Sequence, residues 1–246
     1  MNTEATEAMK ATPTRNNLPL RLADFSTLAE ALDYAAQGET GFNFYTGTGK
    51  LHSVLPYSKL REQAQTLARR LHSLGLERGA RVALVADTTP DFHIFFFACQ
   101  YAGLIPVPLT ASIHLGGHQA YVEQLRRLLT TCQAEVAMAP ADFLPFLSEA
   151  AEGLNLRFAG GPEAFAELPE QTTQLHPLQP KEIAYLQYTS GSTRFPRGVV
   201  ITQETVLNNL ADIVTHGVKI RPGDRCLSWL PFYHDMGLFG LVLSPL

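Results

Sequence analysis

The chain has 246 residues, a formal net charge of −4, 46% hydrophobic and 17% charged residues, proportions that exclude an intrinsically disordered protein. No basic block stands out to neutralise phosphates, which argues against nucleic acid as a partner. The longest apolar run, Ile94 to Leu109, is broken by Gln100, Gly103, Pro106 and Pro108 and falls short of the about 20 residues of a membrane span, so no stable membrane insertion is expected. Cys99, Cys132 and Cys226 lie far apart, with neither disulfide-framework nor zinc-ligand spacing. With a polar N-terminus that lacks signal-peptide character, they point to buried thiols in a reducing, cytoplasmic setting.

Residues 1–20, rich in Thr, Asn and Glu, read as a mobile tail. Thr27-Leu-Ala-Glu30 is a capping-box pattern that opens a helix to about Gln37, with Gly38 as its stop. Phe42–Tyr45 and Leu51–Leu55 alternate as a hairpin around Gly47-Thr-Gly49. Leu60, Ala64, Leu67, Ala68 and Leu71 recur at helical spacing between Ser58 and Leu74. A strand–helix rhythm follows. Strands are expected at Arg81–Ala86, Ile105–Leu109 and Ala134–Ala139, with helices at Pro90–Tyr101, Ala120–Cys132 and around Phe143–Ala151. This alternation predicts an α/β fold with a mainly parallel sheet covered on both faces. Gly160 to Pro180, with four prolines, reads as a linker. Beyond it come strands Ile183–Tyr188 and Val199–Ile201, a helix from Gln203 to His216, a strand Arg225–Leu230 and a closing helix from Asp235.

Between the two strands lies Thr189-Ser-Gly-Ser-Thr-Arg-Phe-Pro-Arg-Gly198. Ser190, Ser192 and Thr193 supply hydroxyls, Gly191 and Gly198 allow close backbone approach, and Arg194 and Arg197 supply cations. A polyphosphate is held by that combination. Pro196 and the strand after it rule out a Walker A loop, which opens a helix. The same residues also suit a polar hairpin turn with no ligand.

The stretch Thr189-Ser-Gly-Ser-Thr-x-x-Pro-x-Gly198 resembles the phosphate-binding signature of the adenylate-forming superfamily: acyl-CoA synthetases, peptide synthetase adenylation domains and luciferases. Most of these have Gly at position 194 and Lys at position 197. The form with Arg194 is similar to fatty acyl-AMP ligases. Ser228-Trp-Leu-Pro-Phe-Tyr-His-Asp-Met-Gly-Leu238 resembles a second block of that branch, as do Phe97–Pro108 and Tyr121–Arg126, so the resemblance covers most of the chain from about Leu28.

It implies that residues 21–246 are part of an N-terminal adenylation domain in an enzyme that joins a fatty acid to ATP, with Mg²⁺, as acyl-AMP. The acyl group would then pass to an acyl carrier protein. Thr189, Ser190, Gly191, Ser192, Thr193 and Gly198 would hold the phosphates. His234 and Arg197 would act at the reacting carboxylate and phosphate. Trp229, Phe232 and Tyr233 could wall the acyl channel, although isolated aromatics also suit a core. Asp235 suits a helix N-cap. The other histidines form no metal-spaced cluster, and no metal ligand is assigned. The family's adenine- and ribose-binding residues, acidic Mg²⁺ ligand and C-terminal domain with its catalytic lysine would lie beyond Leu246, so these residues alone are not expected to complete adenylation. The alternatives are a long-chain acyl-CoA synthetase and a non-catalytic nucleotide- or acyl-binding module.

Overall fold

The computed structural model describes residues 10–13, 18–113, 117–189 and 196–246. In the described part of the N-terminal tail, Thr12 is buried, and it exchanges two hydrogen bonds of 2.9 Å with the Asn43 side chain. Helix α1 (Leu28–Ala35) begins where the capping pattern places it, and the Thr27 hydroxyl accepts the Glu30 N–H at 3.1 Å. The Glu30 carboxylate turns back to the Ser26 N–H at 2.7 Å, one residue earlier than a standard capping box. Strands β1 (Gly41–Tyr45) and β2 (Leu51–Pro56) pair antiparallel. Helix α2 (Tyr57–His72) buries Tyr57, Leu60, Ala64, Leu67, Ala68 and Leu71. That row follows from the 3.6-residue period.

The centre is a sheet of β3 (Arg81–Val85), β4 (Ile105–Leu109), β5 (Ala134–Met138) and β6 (Phe158–Gly160). The spatial order is β4-β3-β5-β6, and every pairing is parallel. The connections are α3 (Pro90–Ala102), α4 (Gly117–Thr131) and α5 (Leu144–Ala151), with α6 (Pro162–Ala166) after β6. Because successive side chains on a strand point to opposite faces, the sheet divides two cores. Val82, Leu84, Val136 and Met138 pack with the helix residues Leu60, Leu67, Phe92 and Phe96. Ala83, Val85, Val107, Leu109 and Ala137 pack with Tyr121, Leu125, Leu129 and Leu147. Apolar side chains on both faces explain why these strands read as near-continuous hydrophobic runs. The predicted α/β class is what the structure has.

Strands β7 (Ile183–Thr189) and β8 (Arg197–Thr202) form an antiparallel pair, followed by α7 (Gln203–Asp212). A chain of buried amides fixes this unit to the rest. Gln203 Oε1 accepts the Leu28 N–H at 2.9 Å, Gln203 Nε2 donates to Gln100 Oε1 at 2.6 Å, and Gln100 Nε2 donates to the Ala184 carbonyl at 2.8 Å. The β7–β8 register slips between Ile183 and Tyr185. Ala184 is therefore the extra residue of a bulge, and a side chain rather than the ladder takes its carbonyl.

Three expectations need correction. The segment taken as a linker is docked: Phe165 and Leu178 are buried, and the Leu178 N–H donates to the Gln100 carbonyl. The Arg78 guanidinium also donates to the carbonyls of His176 and Pro177. The helix from Gln203 does not run regularly to His216, because α7 gives way at Ile213 to a wider π turn. Arg225–Leu230 is not a strand. It belongs to none of the sheets, and Leu227 and Trp229 are exposed, so its backbone has no neighbouring ladder to pair with.

Candidate active site

The phosphate-loop motif springs from the end of β7. Strand alternation puts Tyr185, Gln187 and Thr189 on one face and Leu186 and Tyr188 on the other. Tyr185 lies in the core that contains α3, with its ring 5.8 Å from Phe96. Leu186 and Tyr188 pack against the core that contains α4. Across the ladder Thr189 faces Arg197 and Tyr188 faces Gly198. Thr189, Arg197 and Gly198 are exposed, and Arg197 has no hydrogen-bond or ion-pair partner among the described residues. Arg61, Arg69, Arg78 and Arg157, in contrast, are each committed to a carboxylate. A Cβ at Gly198 would lie 3.5 Å from the Tyr188 ring, an ordinary contact. Packing among the described residues therefore does not require glycine there. Ser190, Gly191, Ser192, Thr193 and Arg194 lie outside the described residues.

The second motif forms a tight turn into a π-helical segment, Met236–Leu243. The His234 N–H donates to the Pro231 carbonyl at 3.1 Å, and the His234 carbonyl accepts the Leu238 N–H at 2.9 Å. The Asp235 carboxylate accepts the Met236 N–H at 2.7 Å, the capping role read from the sequence. Gly237 is required by the backbone: a Cβ would sit 2.1 Å from the Pro231 carbonyl oxygen. Phe232 is buried and stacks on Phe92 with ring centroids 5.3 Å apart, so it anchors the turn to α3 and belongs to the core. Tyr233 is half-buried, His234 is exposed, and Trp229 is 85% exposed.

Among the described residues, a hydrogen bond ties the strand before the first motif to the second. Gln187, two residues before Thr189, donates from Nε2 to the carbonyl of Tyr233, next to His234, at 2.6 Å. On the same face of β7, burial and then the Asp235 charge raise the Tyr185 hydroxyl above its usual pKa. Tyr121 of α4 is shifted upward by burial and then by Tyr233 and Asp87. The sequence reading missed Gln187. The available signal was an amide in an otherwise apolar and aromatic strand. It also missed His93, whose ring is buried beside Phe232 with centroids 4.9 Å apart.

The arrangement puts the Thr189 hydroxyl and a guanidinium without a partner among the described residues, Arg197, at one end of the β7–β8 pair, and the Gln187 bond holds the turn that bears His234 against the same strand; such groups suit an anionic ligand. Among the described residues no group of three or more His, Cys, Asp or Glu is placed to hold a metal ion, and no helix is long and apolar enough to cross a membrane. Of the cysteines, Cys99 and Cys132 are buried as expected, whereas Cys226 is exposed.

A Caulobacter vibrioides protein provisionally named an acyl-CoA synthetase is 45% identical over 96% of this chain. The long-chain-fatty-acid–AMP ligase FadD32 of Mycolicibacterium smegmatis is 34% identical over 78%. A solved chain from a study of fatty acyl-adenylate ligases of E. coli and L. pneumophila superposes with a TM-score of 0.88, at 48% identity over 92% of this chain. The chain spans 41%, 30% and 41% of the lengths of these three. The profile of the AMP-binding enzymes matches residues 35–246. With both motifs inside that match, the chain belongs to the family of AMP-binding enzymes.

Proposed function

We propose that the full-length protein adenylates a fatty acid and passes the acyl group to an acyl carrier protein. The observation that carries this reading is the Gln187–Tyr233 hydrogen bond, which holds the phosphate-loop strand against the turn that bears His234. A carboxylate oxygen of the acid attacks the α-phosphorus of ATP, the bond to the bridging oxygen breaks, and pyrophosphate leaves. Negative charge builds on the phosphate oxygens, so the protein's contribution is positioning plus electrostatic stabilisation. Thr189 and the loop that follows, with its hydroxyls Ser190, Ser192 and Thr193 and its glycine Gly191, grip the terminal phosphates. Arg197 holds two oxygens at once where a lysine would supply a point charge. Gly198, for which the described residues show no steric need, admits the ligand close to the backbone. His234 faces the reacting carboxylate, and Trp229 and Tyr233 face the acyl chain. Mg²⁺ would accompany the ATP phosphates, with its acidic protein ligand supplied by residues beyond Leu246.

Arg194 in the loop favours a carrier protein as acceptor. The likeness to the protein provisionally named an acyl-CoA synthetase supports a second reading, transfer to CoA after the same first step. The test incubates the full-length protein with Mg-ATP and a set of fatty acids. One tube offers CoA, the other a holo acyl carrier protein, and mass spectrometry reads the products. Acyl-AMP and acyl-carrier product without acyl-CoA is the expected result. Abundant acyl-CoA moves the protein to the second reading, and no adenylate from any acid leaves a binding module.

A further inference from the structure

His93 lies in the first turn of α3 and is 1% exposed, in a place that would suit an apolar side chain. Its ring stands between strand β1 and the turn that carries His234. On the β1 side are Phe42 and Phe44, with ring centroids 4.4 and 5.4 Å away. On the other side is Phe232, at 4.9 Å and nearly perpendicular. Phe232 therefore sits in a corner, stacked on Phe92 at 5.3 Å and walled by His93.

The imidazole is only half satisfied there. The Thr89 carbonyl can only accept, so Nδ1, 3.2 Å away, carries the proton. Nε2 is then a buried lone pair without a hydrogen-bond partner among the described residues. A desolvated acceptor of this kind lowers stability, and a phenylalanine would fill the place without it. What histidine adds is a fixed ring plane. The torsion that turns an aromatic ring is broad, and the bond to Thr89 holds it at one setting. That plane forms one wall of the corner that receives Phe232, two residues before His234.

We propose that His93 is a positioning residue for the adenylation step: held by Thr89, it seats Phe232 and through it sets the place of His234. This rests on the adenylation reading, in which His234 faces the reacting carboxylate. All the groups involved belong to β1, α3 and the turn 231–235. Buried as it is, His93 acts on His234 without a substrate contact of its own. Its loss misplaces His234 and leaves binding nearly intact, so kcat falls with KM for ATP and for the acid little changed.

The test compares His93→Phe, Phe232→Leu and the double variant with the wild type in the full-length protein. Phenylalanine keeps a ring and removes the bond to Thr89 together with the orphaned lone pair. Its melting temperature is expected to stay near that of the wild type, with kcat for acyl-AMP formation at least about fivefold lower and both KM values within about threefold. A role in packing alone predicts the reverse, a changed melting temperature with kcat per folded molecule retained. Because His93 acts through Phe232, the double variant should lose little more kcat than the worse single one, and losses that multiply overturn the proposal. Where the phenylalanine variant does not fold, His93→Asn replaces it. Asparagine keeps a donor for the Thr89 carbonyl but offers Phe232 no wall, and the same fall in kcat is expected. Hydrogen exchange of residues 231–236 in the 246-residue chain, expected to be faster in His93→Phe with β3 and β5 unchanged, gives a readout independent of activity. A smaller fall in kcat, or activity lost only in proportion to folded protein, overturns the proposal. If the wild type forms no adenylate, the adenylation reading fails by itself. The exchange result then decides the seating of the turn, with unchanged exchange overturning it.

Discussion

At the scale of single residues, His93 is the described histidine whose ring is shifted by its surroundings. Its Nδ1 lies 3.2 Å from the Thr89 carbonyl, an acceptor, so Nδ1 carries the proton and Nε2 is a bare lone pair with no partner among the described residues. Around it stand Phe42, Phe44, Phe92 and Phe232, with centroids 4.4 to 5.8 Å away. Burial lowers its pKa from 6.5 to about 4, against the opposing pull of the Thr89 bond. The unfolded chain thus binds a proton between these values that the folded chain refuses. Stability present above pH 6.5 is lost as pH falls toward 4, by up to about 3 kcal/mol from this group. Denaturant unfolding at pH 7.5 and at pH 5 should show about 2 kcal/mol of that loss in the wild type and a smaller one in His93→Leu. Equal losses in both would assign the acid sensitivity to other groups. Neither His93 nor Gln187 could be assigned from sequence. The partner of Gln187 is 46 residues away, and spacing along the chain carries no information about such a bond. Arg197, Thr189 and His234, in contrast, are nominated by the order of residues within their motifs, which needs no contact across the fold.

At the scale of elements, the regular helices and the parallel strands were legible because their periodicity is enforced by two cores on either side of one sheet. The elements misread are those whose conformation is set by something other than a repeating face. The stretch after α6, residues 167–180, is rich in proline and belongs to no strand, yet Arg78, bound to Glu182 at 2.6 Å, draws it onto the body through its carbonyls. The turn that carries His234 is set by steric fit. At Gly237 a Cβ would meet the Pro231 carbonyl oxygen at 2.1 Å, its carbon at 2.8 Å and the Leu230 oxygen at 3.1 Å. All three are backbone atoms, which cannot move aside as a side-chain tip could. Gly237→Ala should therefore destabilise the chain by about 1–3 kcal/mol. It should also loosen the turn, read as faster hydrogen exchange across residues 230–238 with β3 and β5 unchanged. An alanine variant with wild-type melting and exchange would show that the turn has room that this geometry denies.

At the scale of the whole molecule, the apolar surface is unevenly shared. The sheet is covered on both faces, yet among the described residues six of the nine exposed large hydrophobics, from Val199 to Met236, fall near the C-terminal end of the chain. The most exposed are Trp229 at 85%, Leu227 at 78% and Val218 at 67%, and Val200 stands at 57%. Composition could not foretell this, since the same residues would read as strand and core wherever they lay. Contiguous apolar surface drives association, whereas exposed side chains that touch little contribute little to the fold. Val200→Thr, Leu227→Ser and Trp229→Ser combined should therefore leave the unfolding free energy of the 246-residue chain within about 0.5 kcal/mol per site. The triple variant should also bind less of a hydrophobic dye and sediment closer to a monomer than the wild type. Since Trp229 is the sole tryptophan, its fluorescence in the otherwise unchanged chain gives the complementary reading. Strong quenching by acrylamide agrees with the exposure seen here, and protection on adding a fatty acid would place the indole against the acyl chain. A large loss of stability in the triple variant would mean that these side chains are packed in solution, and the exposed surface would then have to be redrawn.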